Sequence, residues 1–248
     1  MNRKLPDRIV FRPIIYRVFR HSWMVVLLIF VLHASIRFGG LSNPLFIPVS
    51  MMVIWPLPWL ISSKDARKMM GFRSATMWWY VAGPLVALFV LFSTAGVTWW
   101  IFWDTDSNWF VRHALAMQES LSGVPENTVL STKFLIVTIP AMVFSPFGEE
   151  FLFRGYLLAA FSAKLGTLAS LVIQAAAFAL VHLAHYGLDP FQPELILVWL
   201  PSMFLAGYMF GWITVKSGSI WCAVLSHSVY NLGMNAIVFF FLQDKIGF

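Results

Sequence analysis

Residues 145–156 read "SPFGEEFLFRGY". "KFLIVTIPAMVF" precedes them and "LLAAFSAKL" follows, so Glu149, Glu150 and Arg154 stand inside a long apolar run. Charge in such a run is costly and marks a functional site or a buried pair. The fold therefore turns on whether this segment crosses a membrane.

Composition answers that question. The 248 residues are 59% hydrophobic and 11% charged, with a mean hydropathy of +0.76. A soluble domain carries about 25% charged residues. The expected fold class is all-α, a polytopic membrane helix bundle of about seven or eight transmembrane helices, each needing about 20 apolar residues. The apolar runs predict spans near 23–38, 44–62, 77–103, 134–161, 167–186, 195–215 and 219–242. Pro56 and Pro58 are expected to kink the second. Trp78–Trp79 and Trp99–Trp100 bracket the third like an interfacial aromatic belt.

The net charge of +6 is unevenly spread: Arg3, Lys4, Arg8, Arg12, Arg17 and Arg20 crowd the N-terminus. Beside a span, such a segment sets topology and contacts anionic lipid rather than nucleic acid. No small-residue cleavage site follows the first apolar run, so it does not read as a signal peptide. Lys64, Arg67, Lys68 and Arg73 assign loop 63–75 to the cytoplasm together with the N-terminus. Asp104, Asp106, Glu119 and Glu126 assign loop 104–132 to the other side. Three regions are expected: a basic cytoplasmic segment 1–22, variable spans with an external loop 23–132, and a transmembrane core 133–248 that carries the charged run. The lone Cys222 cannot form an internal disulfide.

Glu150 and Arg154 are four apart with Glu first, the favoured order for a helical ion pair. Glu149 is left without a local partner. Ser145-Pro146 resembles an N-cap with proline at the first helical position. The expectation is a helix that restarts there and sets Glu149 in its first turn, where the dipole favours a carboxylate.

Later spans offer His182 and His185, then His227, Asn231 and Asn235. At 1.5 Å per residue, Glu149, His182, His227 and Asn231 lie about 21, 24, 14 and 20 Å from the inner helix ends. They fall in one band of the hydrocarbon region, with His185 nearer the outer surface. A carboxylate and an imidazole around one water form a general-base pair, and a second imidazole with a carboxamide can hold an oxyanion. The same Glu149, His182 and His227 would be the ligands of a divalent metal, but the HExxH spacing is absent. No cofactor is required. Ser145, Ser226 and Ser228 lie in no serine-nucleophile motif.

"EEFLFRG" (149–155), "FALVH" (178–182) and "GYMFGWITVKSGSIWCAVLSHSVYN" (207–231) resemble the CAAX protease and bacteriocin-processing family, also called Abi, which includes the type II CAAX prenyl endopeptidases. The family pattern is EExxxR, then FxxxH, then HxxxN, on separate spans. The resemblance implies an intramembrane endopeptidase. Glu149 and His182 would activate water, His227 and Asn231 would stabilise the oxyanion, and Glu150 and Arg154 would support the fold. The implied partner is a membrane-embedded or lipidated protein or peptide in the bilayer. The implied location is a bacterial inner membrane with the N-terminus cytoplasmic. Two rival readings are a non-catalytic immunity or scaffold protein of this fold, and an ion- or proton-coupled transporter. No inverted repeat supports the transporter. The Gly207–Gly211 GxxxG pair predicts close helix packing, within the chain or in a homo-oligomer; the first is preferred. Glu149→Gln is expected to stop chemistry in a folded protein, and Glu150→Gln to act through stability.

Overall fold

The computed structural model describes residues 10–242. Arg3, Lys4 and Arg8 of the basic segment lie outside the described residues. The elements are α1 Ser22–Phe38, α2 Phe46–Ile54, α3 Leu57–Leu60, α4 Lys64–Met69, α5 Met77–Phe102, α6 Trp109–Ser120 and α7 Leu130–Glu150. A π-helical turn, Phe151–Leu157, joins α7 to α8 Leu158–Leu165. Then come α9 Thr167–Val181, α10 Pro193–Ser217 and α11 Ile220–Phe241.

Among the described residues, six helical stretches are long and apolar enough to cross a membrane: 22–41, 77–102, 130–165, 167–184, 193–217 and 220–241. The chain is an all-α polytopic bundle. The remaining expected span, 44–62, is a shorter apolar helical stretch, Phe46–Leu60, divided into α2 and α3. Pro56 and Pro58 remove backbone donors at their junction, so the helix breaks there.

The expected helix restart at Ser145 does not occur. α7 runs unbroken through Pro140 and Pro146 into Glu150. Pro146 leaves the Met142 carbonyl without its intrahelical donor, and Ser228 Oγ of α11 donates to it at 2.8 Å. A neighbouring side chain thus repairs the ladder, as membrane helices require. The irregularity comes one turn later, as the π turn, a feature common at functional sites.

Loop 104–132 also departs from a plain external loop. Its α6 folds into the bundle and buries Trp109, Phe110, Ala114 and Met117. Trp109 stacks on Phe110 and packs at a tilt against Trp199, and its Nε1 donates to Thr98 Oγ1 at 3.0 Å.

The loops gather at two ends. At one, Arg12 donates to the Trp59 carbonyl, Arg73 donates to the Gly218 carbonyl, and Lys164 lies 4.3 Å from the Trp23 ring centre. At the other, Arg112 bridges the Asp106 carbonyl and Gln192. This groups loops 63–75 and 216–219 together, opposite loops 103–129 and 185–192.

Candidate active site

The α7–π junction carries the charged cluster, and Glu149, Glu150 and Arg154 are all buried. Close backbone approach makes room for it. A Cβ on Gly148 would stand 2.9 Å from Met51 Cα, so α2 crosses α7 with almost nothing between them. Arg154 Nη1 lies 3.0 Å from Glu150 Oε1, the expected i,i+4 pair, and its Nη2 donates to the Gly207 carbonyl at 3.0 Å. Its guanidinium also lies over Phe178 and Phe210, at 4.5 and 5.3 Å from the ring centres.

Glu149 has a partner after all. Arg37, buried near the end of α1, places Nη1 3.0 Å from Glu149 Oε1, and Ser145 Oγ donates to the same oxygen at 3.0 Å. Ser145 is therefore a carboxylate partner rather than a helix cap. The other oxygen, Oε2, is buried with no hydrogen-bond partner. It faces His182 Nε2 at 3.7 Å and His227 Nε2 at 3.8 Å.

The far nitrogens fix the tautomers. His182 Nδ1 donates to the Phe178 carbonyl at 2.7 Å, since a carbonyl can only accept. His227 Nδ1 donates to Glu150 Oε1 at 2.8 Å. When neutral, both rings turn an Nε2 lone pair toward Glu149 Oε2. Three acceptors thus surround one gap, in a site where an unmet polar group is costly.

The two imidazoles line a cavity of about 340 Å³, together with Arg37, Phe144, His185, Met203, Asn231 and Met234, among others. Asn231 Nδ2 donates to the Ala141 carbonyl at 2.8 Å, leaving its second N–H. Arg37 Nη2 donates to His185 Nε2. His113 of α6 donates from Nε2 to Asn235 Oδ1 and accepts at Nδ1 from the Tyr186 hydroxyl, both at 2.8 Å. Burial holds His113 below the ordinary imidazole range. Burial, with the Arg37 charge second, holds His185 well below it. Both are neutral rings at the cavity wall.

The structure brings His182, His227 and Asn231 to one cavity, with Glu149 buried against both imidazoles and Glu150 and Arg154 behind them. It also adds Arg37, His185 and His113, which the sequence reading did not assign to the site. The Gly207–Gly211 pair packs on α9: Gly207 faces Phe178, and Gly211 faces Gln174 and Leu171. That contact holds the His182 helix against α10 within the chain.

Glu149, His182 and His227 were tested as metal ligands. Among the described residues, no group of three His, Cys, Asp or Glu side chains is arranged to hold a metal ion. The Arg37 cation, 3.0 Å from Oε1, already neutralises the same carboxylate and would repel a divalent ion beside it. The residues present do not fit a divalent metal.

No curated protein and no solved structure matches the chain. Residues 131–233 match the family model described as type II CAAX prenyl endopeptidase Rce1-like. That segment contains Glu149, Glu150, Arg154, His182, His185, His227 and Asn231, but not Arg37, His33 or His113. At the level of the family, the match supports a CAAX-protease-type membrane endopeptidase, consistent with the CAAX protease and bacteriocin-processing family.

Proposed function

We propose that the chain is an intramembrane endopeptidase in which Glu149 and His182 activate a water molecule, while His227 and Asn231 stabilise the oxyanion. The observation that supports this most is the buried, partnerless Oε2 of Glu149 between two Nε2 atoms. A water in that gap donates one O–H to Oε2 and the other to His182 Nε2.

The chemistry follows from those roles. The water oxygen adds to the peptide carbonyl carbon as its proton passes to Glu149 Oε2, and the C=O π pair moves onto oxygen. Asn231 N–H and His227 Nε2–H donate to that oxyanion. For this, His227 must carry a proton on both nitrogens, and Glu150 against Nδ1 is the group that balances the charge. Glu149 then delivers its proton to the leaving nitrogen as the C–N bond breaks. Arg37 and Ser145 keep Oε1 occupied, so Oε2 is the oxygen that faces the reaction.

The apolar cavity walls, including Phe144, Met203 and Met234, suit an apolar segment of a membrane-embedded or lipidated substrate. The charge difference between the two ends supports a cytoplasmic N-terminus. The test is cleavage by the purified protein with and without a chelator. Unchanged cleavage is expected. Loss with the chelator, restored by Zn²⁺, would replace the carboxylate mechanism with a metal one.

A further inference from the structure

The two ends of the bundle are chemically unlike. The end near the start of α1 carries Arg12, Arg17, Arg20, Lys64, Arg67, Lys68, Arg73, Lys164 and Lys216 against Asp65. The opposite end carries Asp104, Asp106, Glu119, Glu126, Asp189 and Glu194 against Arg112 and Lys133. By the positive-inside bias, the first end is cytoplasmic and the second is not.

The cavity beside Glu149 communicates with the second end. It shares Ile47, Pro48, His113, Pro140 and Tyr186 with a further hollow of about 700 Å³. That hollow continues to Leu41, Glu119, Ser120 and Asp189, all exposed. Toward the basic end, no residue of loops 63–75 or 216–219 lines either hollow. Phe151, Leu152, Phe153, Arg154 and Tyr156, the residues after Glu150, are all buried. The mouth is thus largely apolar inside and carries Glu119 and Asp189 at its rim, with Arg112 beside both in the adjoining hollow.

We infer that the catalytic cavity is entered from the acidic, non-cytoplasmic end, and that it takes a peptide in which an apolar stretch adjoins basic side chains held at the Glu119–Asp189 rim. What happens to that peptide rests on the peptidase reading; where it enters and which charge it carries do not. Apolar burial inside the cavity supplies affinity. The exposed rim carboxylates supply a charge preference that salt weakens.

Two readouts test this without turnover. The first uses intact cells making full-length Cys222→Ala protein with Ser120→Cys or Lys64→Cys. A membrane-impermeant maleimide should label Ser120→Cys directly and Lys64→Cys only after permeabilisation. The reverse pattern overturns the entry side. The second measures binding of fluorescein-labelled apolar peptides, flanked by three Lys or three Glu, to detergent-purified Glu149→Gln. The Lys peptide should bind about five-fold or more tighter at low salt, and Glu119→Lys with Asp189→Lys should remove or invert that preference. Equal binding, or an unchanged preference in the charge-reversed protein, overturns the rim. If both readouts succeed and wild type cleaves neither peptide, the peptidase reading fails and the entry route stands.

Discussion

Arg37 of α1 lies 3.0 Å from Glu149 of α7, with both side chains buried. The ion pair ties the first helix to the proposed catalytic carboxylate across 112 positions of sequence, and it fixes which carboxylate oxygen faces the cavity. Removing one member of a buried pair leaves an uncompensated charge, at a cost of roughly 3–5 kcal/mol. Arg37→Gln should therefore lower thermal stability sharply and reduce cleavage. Arg37→Gln with Glu149→Gln should recover much of the stability but none of the activity. Unfolding midpoints of the three proteins in one detergent measure this.

Glu150 connects to both sides of the cluster, 3.0 Å from Arg154 and 2.8 Å from His227. The expectation that Glu150→Gln acts more through stability is therefore sharpened: the change also deprives His227 of its counter-charge. In a double-mutant cycle, Glu150→Gln and His227→Gln should be strongly non-additive in kcat, because they disable one unit. Additive losses would separate the two residues.

The bundle and the cluster after Ser145 were legible because both follow from local rules. Apolar runs of span length mark helices, and carboxylates inside them mark a site. Arg37 was missed because it ends its apolar run and reads as a flank. The available signal was His33, four residues earlier on the same helical face, buried like Arg37. The helix through Pro146 was not legible, because its repair by Ser228 comes from another span. α6 was not legible as part of the bundle. Its apolar residues Trp109, Phe110, Ala114 and Met117 line one face of a helix too short and polar to read as a span.

Gly148 should tolerate nothing larger. A Cβ there would meet Met51 Cβ at 2.8 Å and Met51 Cα at 2.9 Å, and backbone cannot swing aside. Gly148→Ala should cost about 1–3 kcal/mol and shift α2 off α7, carrying Met51 away from the cavity. Gly207→Ala, which meets the Phe178 side chain at 3.0 Å, should cost less. Paired unfolding curves in one detergent distinguish the two.

Stability should fall in mild acid through α6 and the segment after α9. Burial lowers His113 and His185 below their ordinary value of 6.5, so the unfolded chain binds protons first. The stability they contribute is complete above about pH 6.5 and is lost as pH falls below it, by up to about 1.4 kcal/mol per pH unit for each ring. His113→Gln should flatten the pH dependence of the unfolding midpoint between pH 7.5 and 5.5. An unchanged slope would mean that His113 takes no part in it.

The most direct measurement is the cleavage rate of Glu149→Gln in a protein shown to be folded by its unfolding midpoint and its elution as a single species. Removing a general base should lower the rate by about 10²–10⁴-fold. The account predicts that loss, matched in kind by His182→Ala. Cleavage within a few-fold of wild type by folded Glu149→Gln would contradict it.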